Sequence, residues 1–180
     1  MENLWRQLST GPNAPELVYA IVESPKGSRN KYEYHKEHGV LFLDRVLYSS
    51  LHYPGDYGLI PRTFCEDGDP LDVLVMVTEP TFPGCVIRAR PIGLFRMLDR
   101  GEEDFKILAV ADNDPLHGEY HDIKDIPKHY LDEVRHFFQV YKDLEGSSVD
   151  VLGWEDVNAA KAEIQRSQRL YKERFGFKDI

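Results

Sequence analysis

Asp67-Gly68-Asp69-Pro70-Leu71-Asp72-Val73-Leu74-Val75-Met76-Val77 places three carboxylates within six positions and then runs into an apolar segment. Asp, Gly and Pro are turn residues, whereas Leu71 to Val77 is aliphatic and β-branched. The stretch therefore reads as a tight acidic turn feeding a buried strand. Three Asp side chains this close repel one another unless positive charge sits among them. Hard oxygen donors of this kind suit Mg²⁺ or Ca²⁺ better than zinc. A solvated acidic turn uses the same residues, so the loop alone leaves both readings open.

On the N-terminal side of this stretch, Leu17 to Glu23, Lys31 to Glu37 and Val40 to Val46 read as strands, with His38-Gly39 as a hairpin turn between the last two. On the C-terminal side come Val86 to Leu98, with Pro91 and Gly93 marking a bend or bulge, and Phe105 to Ala111. The final third changes period. Pro127 fits the first turn of a helix, and Tyr130, Val134, Phe137, Phe138 and Tyr141 make one apolar stripe. A second helix is expected from about Glu155 to Phe175, with Glu155 and Asp156 in its first turn and Val157, Ala160, Ile164, Ser167 and Tyr171 on its inner face. Strands first and helices afterwards predict an α+β, mainly β domain: a small β-barrel with C-terminal helices packed outside.

The chain has 180 residues, and a single domain over 1–180 is the simplest organisation at that length. No apolar run approaches the length of a bilayer span, and Met1 to Asn13 holds no signal core. Cys65 and Cys85 lack CxxC spacing and read as free thiols in a reducing cytoplasm. A net charge of −9 argues against nucleic acid as a partner, because phosphate binding needs cations that displace counterions. It does not exclude a small anion held through metal ions.

Polar groups recur where core strands do not need them. Lys31, Glu33 and His35 share one strand face, Glu23 ends the strand before and Arg45 ends the strand after. Pairing of these neighbours is expected to gather acids and bases at one end of a sheet. His52-Tyr53-Pro54-Gly55-Asp56-Tyr57-Gly58 reads as an aromatic turn, and Asp99 to Lys106 as a charged hairpin turn. His117 and His121 stand four apart, but Pro115 and Gly118 weaken a helix there, so surface histidines are the better account. His136 flanks the first apolar stripe, where it could join a subunit contact.

Taken together, these segments resemble the family I soluble inorganic pyrophosphatases. The resemblance rests on Lys31-Tyr32-Glu33, Asp44-Arg45, Tyr53-Pro54-x-x-Tyr57-Gly58, Asp67-x-Asp69-Pro70-x-Asp72, Asp99-x-Gly101-x-x-Asp104-x-Lys106 and Tyr141-Lys142-Asp143-Leu144-Glu145. Asp56 is a departure, since many members carry Asn there. The length matches the compact prokaryotic branch. The resemblance implies a five-stranded OB-like barrel and hydrolysis of inorganic pyrophosphate by metal-activated water with no covalent intermediate. It also implies several Mg²⁺ ions per site and a homo-oligomer, hexamer before dimer.

Residue by residue, it assigns Asp67, Asp72 and Asp104 to the first activating metals, and Asp99 with Asp104 to a metal arriving with substrate. Glu23 and Glu33 would support the metal–water network, and Tyr53 would support the site. Lys31, Arg45, Tyr57, Lys106, Tyr141 and Lys142 would grip phosphates, and Asp69 would orient the attacking water and act as its base. An EF-hand reading fails where Asp72 and Thr78 stand at loop positions six and twelve, which need Gly and Glu. An aspartyl-nucleophile phosphatase fails because its strand leads into the Asp-x-Asp pair, whereas here the strand follows. OB barrels often bind oligonucleotides, but the net charge opposes that.

Overall fold

The computed structural model describes residues 3–176. A short helix α1 (Leu4–Gln7) precedes three strands, β1 (Val18–Ser24), β2 (Asn30–His35) and β3 (Val40–Val46). Then follow β4 (Asp56–Leu59), β5 (Asp72–Met76), β6 (Val86–Asp99), β7 (Glu102–Glu103) and β8 (Lys106–Ala111). Helix α2 (Lys128–Val140), strand β9 (Val149–Glu155) and helix α3 (Val157–Phe175) complete the described fold.

Strands β1, β4, β5, β8 and β6 pair in that order, and β6 also pairs with β1, so the path closes on itself. A closed ring of five strands has no free edge between them, which is the expected OB-like barrel. β6 takes part in so many pairings because it is 14 residues long and breaks register between Pro91 and Gly93, as the sequence suggested. Its C-terminal half carries β7 and β9 beyond the ring.

The barrel interior holds Val18, Ile60, Leu71, Val73, Val75, Ile107 and Ala109, closed on one side by Ala160 and Ile164 of α3. Val134, Phe137 and Phe138 of α2 pack on Phe95, Leu74 and Ile92, forming a second apolar cluster. The two helices thus cover opposite flanks of one sheet, and each buries the stripe its sequence presents.

Three expectations require correction. Glu155 ends β9 and does not open the last helix; Asp156 is the N-cap, accepting from the Ala159 amide at 3.0 Å. The aromatic turn is partly a strand, since Asp56–Leu59 lies fully buried between β1 and β5. Gly58 permits this, because a Cβ there would fall 1.9 Å from the Ile21 carbonyl oxygen. Lastly, β2 and β3 form a separate two-stranded ribbon, and the strand before them does not join it through a backbone ladder. Side chains make that junction: Glu23 Oε1 accepts from the Tyr34 amide at 2.7 Å, and Ser24 Oγ from the Tyr32 amide at 3.0 Å.

Candidate active site

The parallel pairing of β5 with β8 sets Asp72 beside Lys106 in register. That alignment creates the centre of the site. Lys106 is 2% exposed, and its Nζ donates to Asp72 Oδ2 at 2.7 Å, Asp104 Oδ1 at 2.8 Å and Tyr57 Oη at 3.0 Å. Burial alone would lower its pKa, but the Asp104 and Asp72 charges hold it well above the usual range. Tyr57 donates to Asp72 Oδ2 at 2.5 Å, and burial followed by the same two carboxylates keeps its phenol protonated.

Around this pair opens a cleft of about 550 Å³. The acids Glu23, Glu33, Asp67, Asp69, Asp72, Asp99 and Asp104 line it together with Glu102 and Glu103, as do Lys31, Arg100, Lys106 and Lys142 and, among its tyrosines, Tyr57 and Tyr141. Five separate segments deliver them: the β1–β2 edge, β4 with Tyr57, the turn before β5, the β6–β8 connection, and the chain leaving α2. Twelve of the fourteen residues singled out from the sequence therefore meet in one concavity.

The remaining two are not part of its lining. Tyr53 is buried, stacked on the Tyr57 ring at 5.3 Å and packed on Phe137, so it braces the cleft wall. Arg45 pairs across the ribbon with Lys31 and is held at its Nε and Nη2 by Glu145, at 2.8 and 2.9 Å, with Nη1 on Asp44. Asp56 also faces away from the cleft. Its oxygens accept from the Lys26 amide at 2.8 Å and from the Thr81 amide and hydroxyl at 3.0 and 2.6 Å, so it clamps two loops. His117 pairs with Asp114 at 3.3 Å, and His117 and His121 line no part of the cleft.

Sequence reasoning passed over Lys36, and named Glu145 within a motif without giving it a role. Lys36, in the turn after β2, donates to Asp69 Oδ1 at 2.5 Å and to the Gly68 carbonyl at 2.7 Å. Both contacts join residues distant in sequence, so no local pattern signals them.

The donor chemistry fits hard divalent cations: five Asp and four Glu carboxylates line one cleft, with no thiol or imidazole among them. Asp99 adds a specific sign. Its Oδ2 accepts from Lys142, while Oδ1 is buried with no hydrogen-bond partner among the described residues. Asp67 is pushed up to about 6 by burial and then by the Asp69 and Asp72 charges, as expected where carboxylates crowd. Among the described residues, no three such side chains already close on one point in metal-holding geometry. Lys106 and Lys142 instead lie against the acids that would be ligands.

The sequence model of the inorganic pyrophosphatase family matches residues 20–172, most of the chain. The chain belongs to the inorganic pyrophosphatase family. An inorganic pyrophosphatase of Haloferax volcanii is 54% identical over 176 residues, covering 97% of this chain and 99% of that protein. Soluble inorganic pyrophosphatase 1 of Arabidopsis thaliana is 49% identical, covering 94% of this chain and 80% of its own length. The crystal structure of the inorganic pyrophosphatase from Thermus thermophilus superposes with a TM-score of 0.91 at 44% identity, covering 95% of this chain and 99% of that one. As an inorganic pyrophosphatase fold, the barrel has its polar cleft where the family motifs of the sequence converge.

One residue of the cleft gives a pH test. Burial, then the nearby Asp72 charge, raises Glu23 from an ordinary 4.5 to about 8. Between those values the unfolded chain loses the proton that the folded chain keeps, so metal-free stability drains away as pH rises from about 4.5 to about 8. Glu23→Gln removes this ionisation. In EDTA the variant should match the parent near pH 5 and exceed it by about 2 kcal/mol or more at pH 8, by urea unfolding. A pH-independent difference would show that Glu23 is ionised in the folded chain.

Proposed function

We propose that this chain hydrolyses inorganic pyrophosphate to two orthophosphates by direct attack of water on one phosphorus, in a Mg²⁺-dependent reaction with no covalent intermediate. The observation that carries the reading is one cleft in which nine carboxylates are gathered with three lysines, one arginine and four tyrosines. Pyrophosphate is small and densely charged, and phosphoryl transfer asks mainly for alignment and charge neutralisation. An acidic protein can meet that demand when its carboxylates hold cations that in turn attract the anion.

Asp67, Asp72, Asp99 and Asp104 would hold Mg²⁺, with Glu23 and Glu33 supporting the surrounding water. When bound, the ions would neutralise phosphate oxygens and acidify a water. Asp69 orients that water and takes its proton as the oxygen attacks phosphorus. The bridging P–O bond breaks, and its electron pair leaves on the second phosphate. Lys31, Lys106, Lys142, Tyr57 and Tyr141 donate to the phosphate oxygens, and Arg45 does so from the cleft rim. Fixed ammonium and phenol donors are worth more here than in water, because Lys106 and Tyr57 are already desolvated.

Family membership supports pyrophosphate as substrate over nucleotides, and the net charge of −9 weighs against nucleic acid. No described helix is long and apolar enough to cross a membrane. Phe42, Leu43, Val46 and Tyr48 are exposed on and just after β3, apolar surface that supports a homo-oligomer, hexamer preferred. Phosphate release from pyrophosphate and from ATP, each with millimolar Mg²⁺ and with EDTA, tests the assignment. Fast Mg²⁺-dependent release from pyrophosphate and little from ATP is expected. Failure with every divalent metal would sink it.

A further inference from the structure

The loop that carries Asp69 is thinly held. Its internal ties are the Cys65 amide to the Asp69 carbonyl at 2.8 Å, the Gly68 amide to the Cys65 carbonyl at 3.0 Å and the Asp69 amide to Asp67 Oδ1 at 3.0 Å. At its tip Gly68 adopts φ +90°, and a Cβ built there would meet nothing within 4 Å, so that side of the tip faces open space. Upstream, Arg166 of α3 reaches Glu66 at 2.6 Å, a tie outside the Asp67–Asp69 segment. The Asp69 carboxylate itself is 63% exposed and borders both the main cleft and a neighbouring hollow beside the ribbon. Left to itself, such a side chain samples several rotamers.

Lys36 reaches this loop from a different sheet. Its Nζ bridges two successive residues, the Gly68 carbonyl at 2.7 Å and Asp69 Oδ1 at 2.5 Å. Its own backbone is anchored as well, with the Lys36 carbonyl accepting from Asn3 Nδ2 at 2.5 Å and the adjoining turn closed by the His38 and Gly39 amides on the His35 carbonyl. A cation bonded to one carboxylate oxygen and to the preceding carbonyl fixes both the loop and the plane of the carboxylate. Oδ2 is then left for another partner.

We propose that Lys36 is a positioning residue for the hydrolytic step: it holds Asp69 so that Oδ2 meets the attacking water. This rests on Asp69 being the base. Lys36 is absent from the residues lining the main cleft, so it acts through Asp69 and not on the phosphates. Misalignment of a proton acceptor costs turnover more than ground-state binding, so kcat should carry the effect and KM should not.

The test is a double-mutant cycle of K36M with D69N, together with K36R, measured by steady-state hydrolysis and by Mg²⁺ titration of the same preparations. K36M should lower kcat by about tenfold to 10²-fold, leave KM and Mg²⁺ affinity within roughly twofold, and be largely rescued in K36R. In the D69N background K36M should cost nothing further, because the group it orients is gone. An equal loss from K36M in both backgrounds, or a loss confined to KM, would overturn the role of Lys36 while leaving Asp69 in place. Full activity of D69N would overturn the base reading itself.

Discussion

Asp69→Asn should lose turnover by about 10²-fold or more at neutral pH while still binding Mg²⁺. The amide has the size and shape of the carboxylate but no lone pair basic enough to take a proton from water. Asp67, Asp72 and Asp104, the residues assigned to the first metals, are untouched by the change. The Asp69 side chain is largely exposed and its bond to Lys36 is a surface ion pair, so folding stability should move by no more than about 1 kcal/mol. The loss therefore separates chemistry from structure. Mg²⁺-dependent hydrolysis, Mg²⁺ titration and urea unfolding on one preparation give the three readouts. Near-normal turnover at neutral pH would rule out a general-base role and move the search to another group facing the cleft.

Where local pattern carries the information, the sequence was readable. Leu71 to Val77 is an apolar run after a turn, and it forms β5 within a residue or two of the expected bounds. The stripe from Tyr130 to Tyr141 forms α2, with Pro127 as its N-cap, where a missing amide costs nothing. β9 was hidden for the opposite reason. Val149 to Glu155 is stabilised by pairing with β6, some 55 residues earlier in the chain, and Gly153 at φ +127° interrupts its alternation. The same long-range pairing claims Glu155, which in isolation looked like the first turn of a helix.

The site shows the same division. Carboxylates and lysines in the family motifs could be named from sequence, because residue type and spacing are local. Their partners could not. Arg45 and Glu145 are 100 residues apart, and Lys36 meets Asp69 only because two unrelated turns face one another. Asp56 shows how far linear adjacency misleads. Flanked by Gly55 and Tyr57 within a family motif, it points to Lys26 and Thr81, because successive residues of a strand face opposite sides.

Lys106→Met should have the second large effect, and it acts on stability and catalysis together. In the folded chain Lys106 is the cation between Asp72 and Asp104, and it is buried beneath the Tyr57 and Phe138 rings at 5.3 and 5.2 Å. Methionine fills similar volume and keeps the ring contacts, but leaves two carboxylates facing each other with no positive charge between them. Removing one member of a buried ion pair costs about 3–5 kcal/mol. Asp72 and Asp104 are about a quarter and a fifth exposed, so the lower end is expected. In EDTA at pH 8, K106M should thus unfold about 3 kcal/mol more easily than the parent. The deficit should shrink as pH falls and the unpaired carboxylates protonate. Mg²⁺ should then stabilise K106M more than it stabilises the parent, since cation binding at Asp72 and Asp104 replaces the missing charge. Turnover should stay down by about 10²-fold even at saturating Mg²⁺, because a donor to the phosphates has been removed. Urea unfolding of both proteins with EDTA and across a Mg²⁺ series separates these terms. Equal stability in EDTA would show that Lys106 does not balance the two acids, and full turnover with Mg²⁺ would remove it from the phosphate-binding set.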